Sequence, residues 1–527
     1  YQAWINGRKV SPLGINQPWS QYEKCLYYRD FDVTNLLRSG ENCVGVGLAN
    51  SFWNNPNAPP GRYNKDGPQR QATVPFALRA ELTVTDEDGN TEFVGTDETW
   101  KWTPGPLVFS HIFAGEDFEP CLIPDGWDRP QFNDSEWKSA IEVQILTPKL
   151  LRQDWPAFAK ICAFKPLTAQ QVAPSTYLYR FPQNCSAQLK VRLKGGPAGS
   201  RVSFLCSEHA QSRVLGHYAV EARLAHGGGQ LDYQWQSFYI GMQFVEVTGA
   251  VPKGSHNPLN LPTVEALELI HVRTNIKRTG EFKSSSTLYN QTLSIVNWAI
   301  ESNMSHVFTD CPHREKLGWL ECSYLMIPSM LPQYDCHSWL RKIQRDISDA
   351  QLENGRVLTV APSYPAGRLS GGFDWTVEWG AAATMLPWLM YEWFGDLDNL
   401  RSAFGSMKRF VDHVSNEAGD GVAPGGLGDW YDYGHGHPPG QSRYTPPALS
   451  ATAIWALCAQ TVSKAAKALG DSSLETEYAE LHREIGARFR LHFQDKNSKK
   501  LKHLGSPQCA NSMAIVSGVV PDEDCGA

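Results

Sequence analysis

Apolar and polar residues alternate with period two through the first half of the chain and with a helical period through the second. Ala80-Glu81-Leu82-Thr83-Val84-Thr85 alternates strictly and runs into Asp86-Glu87-Asp88-Gly89-Asn90, the pattern of a strand entering a hairpin turn. Tyr1-Gln2-Ala3-Trp4-Ile5-Asn6-Gly7 reads the same way, and Cys43 to Leu48 is a short apolar run between turn signals. The stretch from Gly126-Trp127 to Phe132-Asn133-Asp134-Ser135-Glu136-Trp137 marks a further β unit starting near residue 115. Farther on, Gln188 to Leu193 alternates, Gly195-Gly196-Pro197-Ala198-Gly199 turns the chain, and Arg201 to Leu205, Gln243 to Val247 and Ile270 to Thr274 continue the strands. Short strands separated by polar turns predict sandwich or jelly-roll domains.

Near residue 284 the period changes. Ser284-Ser285-Ser286 offers an N-cap, and Tyr289, Leu293, Val296 and Ile300 fall on one helical stripe. Leu340, Ile343 and Ile347 predict a second helix. Asp398 is read as the cap of a third, with Leu400, Phe404, Met407 and Val411 on its apolar face. Trp455, Cys458, Val462, Ala465 and Leu469 repeat the spacing, as do Leu474, Tyr478, Leu481, Ile485 and Phe489, and one more helix is expected to begin at Ala514 to Val516. The connections between these helices exceed the usual ~2–8 residues. They hold Phe308 to Trp319, Ser370 to Trp379 and Gly425 to Tyr433, so the pattern predicts a helical toroid with a working face made of loops. The helix count is short for a closed ring, and the chain stops at Cys525-Gly526-Ala527, so the ring is expected to be cut off. The chain also opens without Met, which leaves the compartment open between cytoplasm and periplasm.

Composition narrows the function. With 42% apolar and 20% charged residues the 527-residue chain is an ordinary globular one, and no apolar run approaches the ~18 residues of a spanning helix. A net charge of −7 argues against nucleic acid or an anionic membrane as partner, since both need clustered cations. Eighteen Trp, 19 Tyr and 22 Phe are a generous supply of flat faces for sugar rings. The twelve Cys form no CxxC pair, so no zinc ribbon or disulfide scaffold is expected; neither is a metal or other cofactor. His435-Gly436-His437 offers two ligands without a third, Gly195 to Gly199 opens no helix for a phosphate, and GxSxG is absent.

Three loops combine carboxylates with Trp. In Thr309-Asp310-Cys311-Pro312-His313-Arg314-Glu315-Lys316-Leu317-Gly318-Trp319, two acids five apart stand with an Arg and a Trp, a set suited to a sugar subsite. The other two are Phe373-Asp374-Trp375-Thr376-Val377-Glu378-Trp379-Gly380 and Gly428-Asp429-Trp430-Tyr431-Asp432-Tyr433. Arg314 and Lys316 flank Glu315, and their charges would favour its ionised form. A general acid there therefore requires those cations to point away or to pair elsewhere, with Glu321 or Asp310.

The string Asp310-Cys311-Pro312-His313-Arg314-Glu315-Lys316-Leu317-Gly318-Trp319 resembles the bacterial α-L-rhamnosidases of glycoside hydrolase family 78, and the likeness covers nearly the whole chain. Trp4-Ile5-Asn6-Gly7, Asp32 to Leu37, Gly40-Glu41-Asn42 and Phe113-Ala114-Gly115-Glu116 are similar to that family's N-terminal part. The resemblance implies a multidomain β plus α protein: a β-sandwich at 1–110, a jelly-roll-type β segment at 111–162, a β-sandwich at 163–278, and an incomplete (α/α)6 barrel at 279–527. It implies inverting exo-hydrolysis of terminal α-L-rhamnosyl residues from glycans or glycosides. Glu315 is then the general acid, and Asp310, Arg314, Trp319, Asp374, Glu378, Trp379, Asp429 and Trp430 bind the sugar. Cys322 stands where many relatives carry Asp, with Glu321 beside it to compensate, and the general base is expected beyond residue 527, with Glu378 as an in-chain substitute. The alternatives are a non-catalytic rhamnose-binding relative and a member with different sugar specificity or lyase chemistry.

Overall fold

The computed structural model describes all residues except 12, 55–73, 144–147, 211–219, 364–372, 433–439, 499, 502–507, 522 and 524–527; His435 and His437 thus lie outside the described residues. The chain forms two compact units. One comprises Tyr1–Asn275 with Ser284–His306 and Cys311–Lys316, the other Ile276–Lys283 with Val307–Asp310 and Leu317–Ala527.

The spine of the first unit is the strand Thr176–Lys194, in which Leu189, Val191 and Leu193 are buried while Lys190, Arg192 and Lys194 are exposed. This alternation gives the strand one face for the core and one for water. It belongs to an 11-stranded sheet whose main path runs Phe158–Phe164, Thr263–Thr274, Thr176–Lys194, Ile240–Thr248, Ser200–Ser207, Val220–His226, Gly115–Phe118 and Leu107–His111. Neighbours on that path pair antiparallel except Gly115–Phe118, which runs parallel to Val220–His226. Smaller sheets hold Gln2–Ile5 between Arg8–Lys9 and Val44–Gly47, and the expected hairpin Glu81–Thr85 with Thr91–Gly95. Asp86 organises that turn by accepting from the Asn90 backbone at 2.8 Å.

The helix Thr287–Asn303 is capped by Ser286, whose Oγ accepts from Tyr289 N at 3.5 Å. It belongs to this first unit, although its sequence pattern groups it with the later helices. Of its expected stripe, Ile300 is fully buried and Leu293 and Val296 are half-buried, while Tyr289 at the start of the helix is 62% exposed; Trp298 adds contacts with His271 and Phe164 of the sheet.

In the second unit, Ala382–Phe394 and Leu397–Glu417 form one helical hairpin, and Pro447–Leu469 and Ser472–Phe493 another. Both are joined by the same Gly-Asp device. Gly395 and Gly470 end the first helix of each pair at positive φ (67° and 82°), a conformation that L side chains resist. Asp396 and Asp471 then cap the second helix, accepting from Asn399 N and Leu474 N at 3.0 Å each. The cap of Leu397–Glu417 is therefore Asp396; Asp398 lies in the first turn and pairs with Arg401 at 2.9 Å. The last expected helix spans Gln508–Val516, so Ala514 to Val516 closes it rather than opening it. Inside the helix His337–Ala350, Lys342 and Asp346 pair at 2.5 Å with both side chains fully buried.

Candidate functional site

In the second unit three segments are knitted by backbone hydrogen bonds into one platform. Ala361 N donates to Gly318 O at 3.1 Å, Leu320 N to Thr359 O at 2.9 Å, and Thr359 N to Asp374 O at 3.1 Å. The segment around Thr359 thus holds the Trp319 loop on one side and the Asp374 loop on the other. Gly318 permits this approach, since a Cβ there would sit 2.4 Å from Ala361 O. A third loop joins through side chains: Phe373 stands edge-on to both Trp319 (6.3 Å between centroids) and Trp430 (5.4 Å). The three acid-plus-Trp loops are therefore linked through Phe373, which meets Trp319 on one side and Trp430 on the other.

The carboxylates of these loops have separate surroundings. Asp310 N donates to Leu317 O at 3.3 Å, closing the base of the loop between them. The Asp374 carboxylate lies 4.0 Å from Arg356, whose guanidinium covers Trp375. Asp429 accepts from the Cys509 thiol, which burial pushes up to about 12 with Asp429 adding to the shift. Asp432 accepts from the backbone of Arg443 and Tyr444 at 2.6 and 2.7 Å, which ties down the loop that carries Trp430.

Glu378 and Trp379 are not loop residues. They lie in a single helical turn, Val377–Gly380, and both are buried. The Glu378 carboxyl is pushed up from its ordinary value by burial. Its Oε1 accepts from Ser450 Oγ at 2.6 Å and its Oε2 from the Thr376 hydroxyl, so both oxygens are committed within the protein. Tyr324 donates to the Glu378 backbone oxygen at 2.9 Å.

Glu321, noted in the sequence as a neighbour of Cys322 and a candidate partner for the cations beside Glu315, is a strongly perturbed acid of this unit. Burial, with the Asp310 carboxylate adding to it, pushes its carboxyl up to about 8. Oε1 lies 3.7 Å from the Cys322 thiol, while Oε2 is sealed from solvent with no hydrogen-bond partner among the described residues. A sequence search for acids next to Trp passes over Glu321, because its character comes from tertiary burial.

Arg314 and Glu315 are carried by Cys311–Lys316, which belongs to the first unit. Lys316 N donates to Cys311 O at 3.2 Å and Glu315 N to the Cys311 thiol at 3.4 Å, so the segment is a closed turn. It is anchored on the β unit by Gly241 N donating to Pro312 O at 3.0 Å and by His313 Nδ1 lying 3.2 Å from Glu208. Lys316 sits at positive φ (52°), fully buried, with its ammonium donating to Ile112 O at 2.8 Å and 5.4 Å from the rings of Phe113 and Tyr239. Of the two cations flanking Glu315, Lys316 therefore turns into the β unit, whereas Arg314 Nε stays 3.6 Å from Glu315 Oε1. Glu315 itself is half-buried.

Comparisons with known proteins bear on this arrangement. The family signature described as the bacterial alpha-L-rhamnosidase 6 hairpin glycosidase domain matches residues 277–527, and that of the alpha-L-rhamnosidase N-terminal domain matches residues 1–161. The chain is 25% identical over 550 residues to an alpha-L-rhamnosidase of Formosa agariphila, covering 99% of this chain and 56% of that protein. It is 26% identical over 534 residues to an alpha-L-rhamnosidase of Streptomyces avermitilis, covering 99% of this chain and 48% of that one. The chain spans about half the length of these curated relatives. Among solved structures, the Streptomyces avermitilis alpha-L-rhamnosidase complexed with L-rhamnose superposes with a TM-score of 0.86 at 25% identity, over 99% of this chain and 49% of that one. The native enzyme of Aspergillus terreus shares the fold, with a TM-score of 0.86 at 24% identity over 99% of this chain and 60% of that one. With both family signatures in order along one chain, and the Asp310 to Trp319 string inside the second, the chain belongs to the bacterial α-L-rhamnosidase family.

Proposed function

We propose that the protein is an inverting exo-α-L-rhamnosidase that hydrolyses terminal α-L-rhamnosyl residues, with its helical unit forming part of an (α/α)6 barrel. The observation that carries this reading is the aromatic row Trp319–Phe373–Trp430, built on loops that also hold Asp374 and Asp429 and lie within the six-hairpin glycosidase signature. Aromatic faces cover the C–H face of a deoxyhexose, and carboxylates accept from its hydroxyls.

In this reading Glu315 is the general acid. The bond from the anomeric carbon to the glycosidic oxygen breaks, Glu315 gives its proton to that oxygen, and a water attacks from the opposite face after losing a proton to a base. Asp310, Arg314, Trp319, Asp374, Asp429 and Trp430 hold the sugar. Glu378 and Trp379 form the buried layer beneath. We assign no base role to Glu378, because Ser450 and Thr376 occupy both its oxygens.

Proton NMR during cleavage of a p-nitrophenyl α-L-rhamnoside by the protein that carries this chain tests the proposal. The first product is expected to be β-L-rhamnose. α-L-Rhamnose as first product would overturn inversion, an unsaturated product would make the protein a lyase, and L-rhamnose binding without turnover would make it a binding protein.

A further inference from the structure

We infer that Glu321 is a specificity-determining residue of the sugar site, its Oε2 donating to a sugar hydroxyl whose own proton Asp310 accepts. The inference rests on the reading of the site given above and gives Glu321, which the resemblance offers only as a neighbour compensating for Cys322, a defined bond to the sugar.

Geometry is the first ground. Glu321 begins the short helical turn Cys322–Leu325, two residues after Trp319, and the bond from Leu320 N to Thr359 O holds its backbone to the platform. Oε1 faces the Cys322 thiol, but Oε2 is closed off from water and, among the described residues, has no hydrogen-bond partner. An unmade bond at a buried polar atom costs about 1–3 kcal/mol, and a ligand that supplies the partner removes that cost.

Charge is the second ground. The ionisable groups facing Glu321, among the described residues, are Asp310, Cys322 and Tyr324. Tyr324 is pushed far above its ordinary value by burial and is committed to Glu378 O, so it takes no part near neutrality. With Glu321 held protonated up to about pH 8, Oε2 presents a hydrogen to an acceptor, while Asp310 presents only lone pairs. A neutral donor next to an anionic acceptor matches a hydroxyl, which is acceptor and donor at once. Above pH 8 the same residue becomes a second anion beside Asp310, loses its donor and repels any lone pair. Site recognition is then lost on the alkaline side.

The test is kcat/KM for a p-nitrophenyl α-L-rhamnoside from pH 5 to pH 10 with the wild-type protein, Glu321→Gln and Glu321→Ala, each checked for folding by thermal denaturation at pH 6. The wild type is expected to break downward near pH 8. In Glu321→Gln that break is expected to vanish or move up by a unit or more, because the amide keeps a donor and never ionises. Glu321→Ala is expected to raise KM more than it lowers kcat, and Gln is expected to restore part of the loss. A break at the same pH in the wild type and in Glu321→Gln, or identical KM values for Gln and Ala, would overturn the role of Glu321 while leaving the rhamnosidase reading intact. Absence of turnover by all three folded proteins would overturn that reading, and this inference with it.

Discussion

Two acids of the helical unit, Glu378 and Glu321, start from the same residue type and are both raised by burial, yet their surroundings differ in one respect. At Glu378 each oxygen receives a hydroxyl, from Ser450 and from Thr376. At Glu321 one oxygen receives none from the described residues. Tyr324 lies between them, bonded to the Glu378 backbone and within the electrostatic reach of Glu321. The first arrangement is complete without a ligand and ties the turn Val377–Gly380 to the helix Pro447–Leu469. The second is incomplete. Burial alone therefore does not mark a working acid; the state of its hydrogen bonds does.

Truncation gives the largest contrast. Glu378→Ala should lower stability by on the order of 3 kcal/mol, since it strands two buried hydroxyls and leaves a cavity. Glu321→Ala should change stability by no more than about 1 kcal/mol, because it removes an unmade bond as well as a side chain. Urea denaturation at pH 6 reads both, and equal losses would erase the distinction.

Proton linkage sharpens it further. The value of about 8 at Glu321 lies above its ordinary 4.5, so the folded protein holds a proton that the unfolded chain releases between those limits. The stabilisation from that proton is complete below the unfolded value and drains away as the pH climbs through 8. Gln does not titrate, so the Tm of Glu321→Gln should gain on the wild type from pH 5 to pH 8 and then run parallel to it. Scanning calorimetry over that range checks the sign.

A smaller effect is expected at Asp396, which caps Leu397–Glu417 and also meets His337 at 2.7 Å. Asp396→Ala should cost about 1 kcal/mol, read by urea denaturation at pH 6, and no loss of stability in that variant would remove Asp396 as the cap.

Local rules carried the elements a long way. The Asp86 hairpin, the Ser286 cap and the spacing of Leu340, Ile343 and Ile347 are settled by neighbours a few residues apart, and all are read correctly from the sequence. The errors fall where two local choices compete or where a distant surface decides. Asp396 and Asp398 both suit a cap, but Gly395 at positive φ places the chain so that Asp396 takes it. The stripe of the helix Thr287–Asn303 holds at Leu293, Val296 and Ile300 and fails only at Tyr289, while the contacts of Trp298 come from the sheet against which the helix packs. In the site, the acids beside Trp are visible as composition, and the meeting of Trp319, Phe373 and Trp430 extends that reading. The requirement that the cations leave Glu315 is met by Lys316 and not by Arg314, a split that depends on Ile112 and Phe113, about two hundred residues earlier in the chain, and on Tyr239, about eighty residues earlier. The proton on Glu321 has no sequence signature at all.

The division of labour, with Glu315 transferring a proton and Glu321 keeping one, is tested most directly by the dependence of kcat on the leaving group. Dinitrophenyl and simple alkyl α-L-rhamnosides are compared in the wild type, Glu315→Gln and Glu321→Gln. Glu315→Gln should lose about a hundredfold to ten-thousandfold on the alkyl glycoside and far less on the dinitrophenyl one, whose leaving group needs no proton, while Glu321→Gln should affect both alike. Selective loss of the alkyl substrate in Glu321→Gln, with none in Glu315→Gln, would contradict the account and move the general acid to Glu321.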